Sequence, residues 1–203
     1  KSSTAQRIAK LLGENAPLYY WATMEPHDGE DLARIRRHIA DRDGWGFTTI
    51  ERARDLTAGL AAIDPAGTVL FDSVTACLAA QMFEGGGMDM GAPRRAAEQI
   101  AAISRVPAHF VCVCDGIWQG GEDYDPWTAA YTAGLAGICR TLAAACAVPA
   151  VLWGSFAPLA AAVGYGLAVW HGFRQFDGMS GDISGFALVL GELCGAVVLA
   201  IGG

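Results

Sequence analysis

Thr68-Val-Leu-Phe-Asp72-Ser-Val-Thr75 is the stretch on which the fold turns. Three consecutive apolar residues closed by an acid read as a short strand, Thr68–Asp72. It passes without a linker into Val74–Phe83, which reads as a helix. Working outward, the same alternation recurs. Upstream, Leu18-Tyr-Tyr-Trp-Ala22 is an apolar, aromatic run that reads as a buried strand, and Gly46–Ile50 as another. Between and after them, Asp28–Ala40 reads as a polar, Arg-rich helix and Ala53–Ile63 as a second helix. Ser3–Leu12 has apolar residues at helical spacing and stops at Gly13. Downstream, Glu84–Gly91 (EGGGMDMG) reads as a flexible loop, and Pro93–Ser104 as a helix with Pro in its first turn. His109–Cys114 reads as a strand, Asp115–Pro126 as a Gly- and acid-rich loop, and Trp127–Cys146 as a long helix. Strands that alternate with helices predict an α/β fold: a mostly parallel sheet covered by helices on both faces.

Length and charge bound what such a domain can do. The 203 residues suffice for one compact domain and an appendage. Residues 1–149 hold 13 Lys/Arg against 18 Asp/Glu, and residues 150–203 one Arg against three acids. That acidic balance argues against nucleic-acid partners, which need a basic face. Six cysteines form no CxxC pair. Cys112 and Cys114 would share one face of a strand. With no targeting segment read at the N-terminus, though the start looks truncated, reduced thiols are expected. No cysteine-based structural metal site is expected.

The tail has a different character. Thr141–Phe173 contains no Asp, Glu, Lys or Arg, a longer run than the roughly 20 apolar residues that cross a bilayer. A polar loop, Arg174–Asp182, follows, and then Ile183–Ile201 with Glu192 as its one acid. Two readings fit: a membrane-inserted helical hairpin, or a buried helix pair packed through Ala and Gly. The first is favoured. It expects a cytoplasmic domain over 1–149 and an apolar transmembrane tail over 150–203. Pro158 and the glycines are tolerable in membrane helices.

Lys1-Ser2, heading the first helix, fits the last two positions of a phosphate-binding loop. There backbone N–H groups cradle phosphate, Lys reaches its oxygens and the hydroxyl binds Mg²⁺. Read alone, the pair is equally a solvated terminus. The glycines of such a loop and its preceding strand would lie before Lys1 and are missing from the sequence. Asp72 supplies an acid at a strand end that orients Mg²⁺ or its waters, or caps the following helix.

Four segments in order carry a family resemblance: Tyr19-Tyr-Trp-Ala-Thr23, Arg34-Ile-Arg-Arg-His38, Trp45-Gly-Phe-Thr-Thr-Ile-Glu51 and Leu70-Phe-Asp72-Ser-Val-Thr75. From Lys1 to about Ala147 the chain resembles the bifunctional adenosylcobinamide kinase / adenosylcobinamide-phosphate guanylyltransferase family. Asp123-Tyr-Asp-Pro-Trp127 is similar to one subset of it. The resemblance implies a P-loop NTPase-like fold and a homo-oligomer. It implies phosphorylation of the cobinamide hydroxyl with GTP or ATP, and then transfer of GMP from GTP to adenosylcobinamide phosphate through a guanylylated histidine, which His38 matches. A neutral imidazole is a competent nucleophile near pH 7. Arg34, Arg36, Arg37 and Arg42 surround it in sequence and could neutralise triphosphate charge. The residues alone also permit an exposed basic helix face with an incidental His. By the same resemblance Lys1, Ser2, Ala22, Thr23, Met24, Ile39, Ala40, Asp41, Arg42, Glu51 and Asp72 bind the nucleotide, with Ser2 and Asp72 near Mg²⁺. Otherwise Glu51 is a strand-end acid and Thr23 a turn residue. His27 and His109 read as surface and strand-edge residues, and Trp118 and Trp127 as core or loop anchors. The chain departs from the family's pattern at Asp115-Gly116, where a second acid is replaced by Gly.

A second resemblance covers roughly residues 155–203. Asp177-Gly-Met-Ser-Gly-Asp182-Ile-Ser-Gly185, followed by Glu192, is similar to the C-terminal motif of adenosylcobinamide-GDP ribazoletransferase, a membrane enzyme. It implies that Asp182 holds Mg²⁺ and that the chain joins parts of two consecutive steps of one pathway. The alternative functions are a non-catalytic, membrane-anchored nucleotide- or corrinoid-binding scaffold, and ribazoletransferase activity in the tail.

Overall fold

A computed structural model describes residues 2–83, 86–115, 124–152, 154, 156–176, 190, 191, 193, 194, 197 and 198. Four strands form one parallel sheet: β1 (Leu18–Ala22), β2 (Phe47–Glu51), β3 (Thr68–Asp72) and β4 (His109–Val113), in the order β2-β1-β3-β4. In register, Ala22 at the end of β1 lies opposite Glu51 on one side and Asp72 on the other. The helices are α1 (Ser2–Leu12), α2 (Gly29–Asp41), α3 (Val74–Met82), α4 (Ala92–Ile103), α5 (Pro126–Leu152) and α6 (Ala157–Phe176).

Side chains alternate across a strand, and both faces of this sheet are used. Tyr19 and Trp21 of β1 and Val69 and Phe71 of β3 face the larger core, with buried residues of α3, α4 and the first part of α5. Tyr20, Leu70 and Val113 face the other way, onto Ala5 and Ala9 of α1. The mostly parallel α/β architecture with helices is thus as expected from the sequence.

Two local expectations are corrected. Ala53–Ile63 is not an α-helix but a short 3-10 helix, Leu56–Ala62, entered through Asp55 at φ 43°. Gly59 lies so close to Trp21 that a Cβ there would come within 2.5 Å of the indole, and only glycine lets the segment lie that close. The described part of the Glu84–Gly91 segment is a loop, as expected, and it ends in a turn. Asp89 accepts the Gly91 N–H at 2.7 Å and an Arg95 Nη2 hydrogen bond at 2.6 Å, just ahead of α4. The long helix continues beyond Cys146, to Leu152.

The chain divides into two compact units, residues 1–116 with 123–142, and residues 117–122 with 143–203. Within the second, small residues bring segments together: a Cβ on Gly164 would meet Cys194, and one on Gly191 would meet the Ala161 carbonyl. Leu159, Val163 and Leu167 of α6 border an apolar groove of about 590 Å³. Among the described residues, no helix is long and apolar enough to cross a membrane, so the expected apolar hairpin is not shown; most of its second helix, residues 183–201, lies outside the described residues. Cys139 Sγ lies 3.4 Å from Cys114 Sγ.

Candidate functional site

Parallel α/β sheets present their ligand crevice beyond the carboxyl ends of the strands. Here that end of the α1 face carries Tyr20 and Ala22 of β1, Thr49 and Glu51 of β2, and Asp72 of β3, all bordering one cavity of about 860 Å³. Helix α2 supplies another wall. Asp28 starts it by accepting the N–H groups of Glu30 and Asp31, each at 2.8 Å. Leu32, Ile35 and Ile39 follow at helical spacing and line the cavity, together with His38 and Arg42. Helix α2 buries none of its own residues, so its apolar stripe faces this space rather than a closed core.

Tyr20 is the hub. Its hydroxyl donates to Asp72 Oδ2 at 2.8 Å and lies 3.4 Å from His38 Nδ1. His38 Nδ1 is itself 3.6 Å from Asp72 Oδ2. The Arg42 guanidinium stacks 3.8 Å above the Tyr20 ring, a cation–π contact. Burial raises the Tyr20 phenol well above its ordinary range; the Asp72 carboxylate reinforces this, and Arg42 opposes it. Tyr20 therefore keeps its proton and remains a donor. Arg42 is buried, with 9% of its surface exposed. Its Nη2 donates to Thr49 Oγ1 at 3.3 Å, while its Nη1 has no hydrogen-bond partner among the described residues. A buried guanidinium with an unsatisfied donor and no carboxylate on it is costly, and an anion in the cavity would relieve that cost. Glu25 and Arg54 form an ion pair at 2.8 Å, and both also line the cavity.

The cavity gathers much of what the sequence suggested. Ser2 at the head of α1, Ala22, Met24, His38, Ile39, Arg42, Glu51 and Asp72 all line it. Arg34 does as well. Arg36 and Arg37 are exposed and do not. Thr23 is fully buried and not in the lining. Its Oγ1 donates to the Ser73 carbonyl at 2.7 Å and accepts the Ser73 N–H at 2.8 Å, joining the ends of β1 and β3. Ala40 and Asp41 are exposed and outside the lining. Of the two roles open to Asp72, capping falls to Ser73, whose Oγ accepts the Ala76 N–H at 3.2 Å. The Asp72 carboxylate is left to the cavity. His27 and His109 are exposed, as expected. Trp127 stacks on Phe83 with centroids 6.0 Å apart, an anchoring role. Lys1, Gly116, Trp118, Asp123, the Asp177–Gly185 motif with Asp182, and Glu192 lie outside the described residues.

Tyr20 was not singled out from the sequence, nor were Glu25, Arg52 and Arg54. Strand parity holds a signal for Tyr20: it stands two residues before Ala22 and so shares the face that Asp72 occupies on the adjacent strand. Among the described residues no three His, Cys, Asp or Glu side chains gather as a metal cage. Asp72 and the Ser2 hydroxyl are hard oxygen donors bordering one space. That sparse set suits Mg²⁺, which takes one or two protein oxygens and fills its shell with phosphate and water.

A family model described as "Cobinamide kinase / cobinamide phosphate guanyltransferase" matches residues 1–156. A comparison with curated proteins finds no match. The family match ends at residue 156, so the likeness of the tail to a ribazoletransferase rests on its own motif alone.

Proposed function

The chain belongs to the cobinamide kinase / cobinamide phosphate guanyltransferase family, and we propose that its cavity opens a nucleoside triphosphate with His38 as the group that takes the guanylyl. Membership makes it an enzyme of cobalamin biosynthesis, a transferase acting on cobinamide and on GTP or ATP. One observation carries the finer reading. An imidazole held beside a carboxylate and a buried guanidinium lacking an anion open onto the same cavity.

In the first half-reaction a lone pair on the His38 ring attacks the α-phosphorus of GTP. An N–P bond forms, the bond from that phosphorus to the bridging oxygen breaks, and pyrophosphate leaves with the electron pair. In the second, a phosphate oxygen of cobinamide phosphate attacks the same phosphorus and the imidazole leaves, which restores His38. Arg42 suits the equatorial phosphate oxygens, since a preorganised, water-shielded cation stabilises charge with little reorganisation. The N-terminal end of α1, at Ser2, has no acid in its first turn and so accepts an anion without competition. Mg²⁺ would be held by Asp72 and Ser2 together with the phosphates, and it would supply charge neutralisation of the triphosphate. The same end of α1 would hold the phosphates during phosphorylation of cobinamide.

The test is covalent labelling. Incubation with α-labelled GTP and Mg²⁺ should leave an acid-labile label on the protein, and γ-labelled GTP should leave none. His38→Ala should abolish the label. An unlabelled wild type, or equal labelling of the variant, would overturn the assignment.

A further inference from the structure

We propose that Tyr20 is a positioning residue that keeps the His38 proton on Nδ1 and so directs the guanylyl group to Nε2. This rests on the reading of His38 given above but adds which ring nitrogen reacts and what decides it.

The argument is one of donors and acceptors. A phenol has one proton and can also accept. The Tyr20 proton is committed to Asp72 Oδ2, at 2.8 Å and with a charged acceptor. Toward His38 Nδ1, at 3.4 Å, the same oxygen can therefore only accept. Asp72 Oδ2 stands on the same side of the ring at 3.6 Å, and a carboxylate is an acceptor only. Both neighbours of Nδ1 thus call for an N–H there. In a neutral imidazole the lone pair is then on Nε2, the nitrogen free to attack. When Nε2 becomes phosphorylated the ring gains positive charge. The Nδ1–H, already facing Asp72, places that charge beside a carboxylate.

Burial protects this arrangement. Tyr20 is 5% exposed, so little water competes for its hydroxyl. The ring also carries Arg42. One side chain therefore holds in register the nucleophile, the proposed Mg²⁺ ligand and the proposed phosphate cation. The two kinds of contact can be separated, because Tyr20→Phe removes the hydroxyl and leaves the ring beneath Arg42.

The direct measurement needs no variant. Long-range ¹⁵N–¹H correlation spectra of the unliganded protein tell a protonated ring nitrogen from an unprotonated one. His38 is assigned by the signals missing in His38→Gln. The Nδ1–H form is expected, and the Nε2–H form would overturn the proposal. In Tyr20→Phe the Nδ1–H preference should weaken and the rate of protein labelling by α-labelled GTP should fall at least about tenfold. Half-saturation by GTP should change less than about threefold, because the stacked cation remains. Phosphorus–nitrogen coupling in the labelled, denatured protein should place the adduct on Nε2. An Nδ1 adduct, or wild-type labelling in a folded Tyr20→Phe protein, would sink the proposal. An unlabelled wild type that still shows the Nδ1–H form would instead sink the guanylylation reading and leave the tautomer assignment standing.

Discussion

The two faces of the sheet are built from alternate residues of the same strands, yet they do different work. Tyr19, Trp21, Val69 and Phe71 close a core against α3, α4 and α5. Tyr20, Ala22 and Asp72, interleaved with them, border a cavity walled by a helix that buries none of its residues. The first face resembles the interior of any parallel α/β sheet, apolar and filled. The second is filled only at its α1 end and is polar where the strands finish. A single-residue step along β3, from Phe71 to Asp72, crosses from one to the other. Parity along the strand therefore separates residues that hold the protein together from residues that give it chemistry.

The largest expected effects test that separation at this one step. Phe71 is fully buried between Trp21 and Phe110, with centroids 6.2 and 6.1 Å away. Phe71→Ala should cost about 3–5 kcal/mol, seen as a lower midpoint in denaturant unfolding. Asp72→Asn keeps the shape but removes the charge from the cavity. It should change stability by less than about 1 kcal/mol while reducing GTP-dependent labelling at least tenfold, the scale of an outer partner to a reacting group. If the two variants lost stability equally, the second face would be as structural as the first.

A smaller effect probes how loosely α2 is held. With no buried residue it depends on its cap, and Asp28 satisfies two N–H groups there. Asp28→Ala should cost about 1 kcal/mol. The loss should be local: amides of α2 should exchange several-fold faster while those of β3 keep their protection. Equal acceleration in β3 would mean that α2 opens only when the whole unit unfolds.

The sequence made the strands legible and the second face much less so. Leu18–Ala22 and Thr68–Asp72 were bounded correctly, because short apolar runs flanked by turn residues and a terminal acid carry their own limits. Ala53–Ile63 failed as a helix because the contact that flattens it, Gly59 on Trp21, joins residues far apart in the chain. In the tail a charge count alone carries little, because absence of charge does not distinguish Ala/Gly-rich helices from strongly apolar ones. In the site, His38, Arg42 and Asp72 came from motifs, and the cavity does bring them together. Tyr20 escaped notice because its role depends on register. Only when β1 is set beside β3 does a tyrosine in an aromatic run fall next to a carboxylate. Thr23 shows the converse: a motif residue next to the site whose hydroxyl ties two strands and does not reach the cavity.

The arginines of α2 offer the finest test of the same principle, applied to a helix. Arg34, Arg36, Arg37 and Arg42 are close in sequence to His38, and proximity alone would make all four phosphate partners. The stripe of α2 that borders the cavity divides them, and steps of four residues stay on that stripe. Arg34 and His38, four apart, both line the cavity, and so does Arg42, four further on. Arg36 and Arg37 fall between and are exposed. Exposed charges are screened by solvent and salt. Arg36→Ala and Arg37→Ala should therefore leave GTP labelling within about twofold of wild type at physiological salt, whereas Arg42→Met should lower it well beyond that. If Arg37→Ala matched Arg42→Met, α2 would have to turn in the working enzyme so that a different stripe met the nucleotide. The cavity described here would then be a resting arrangement, not the reactive one.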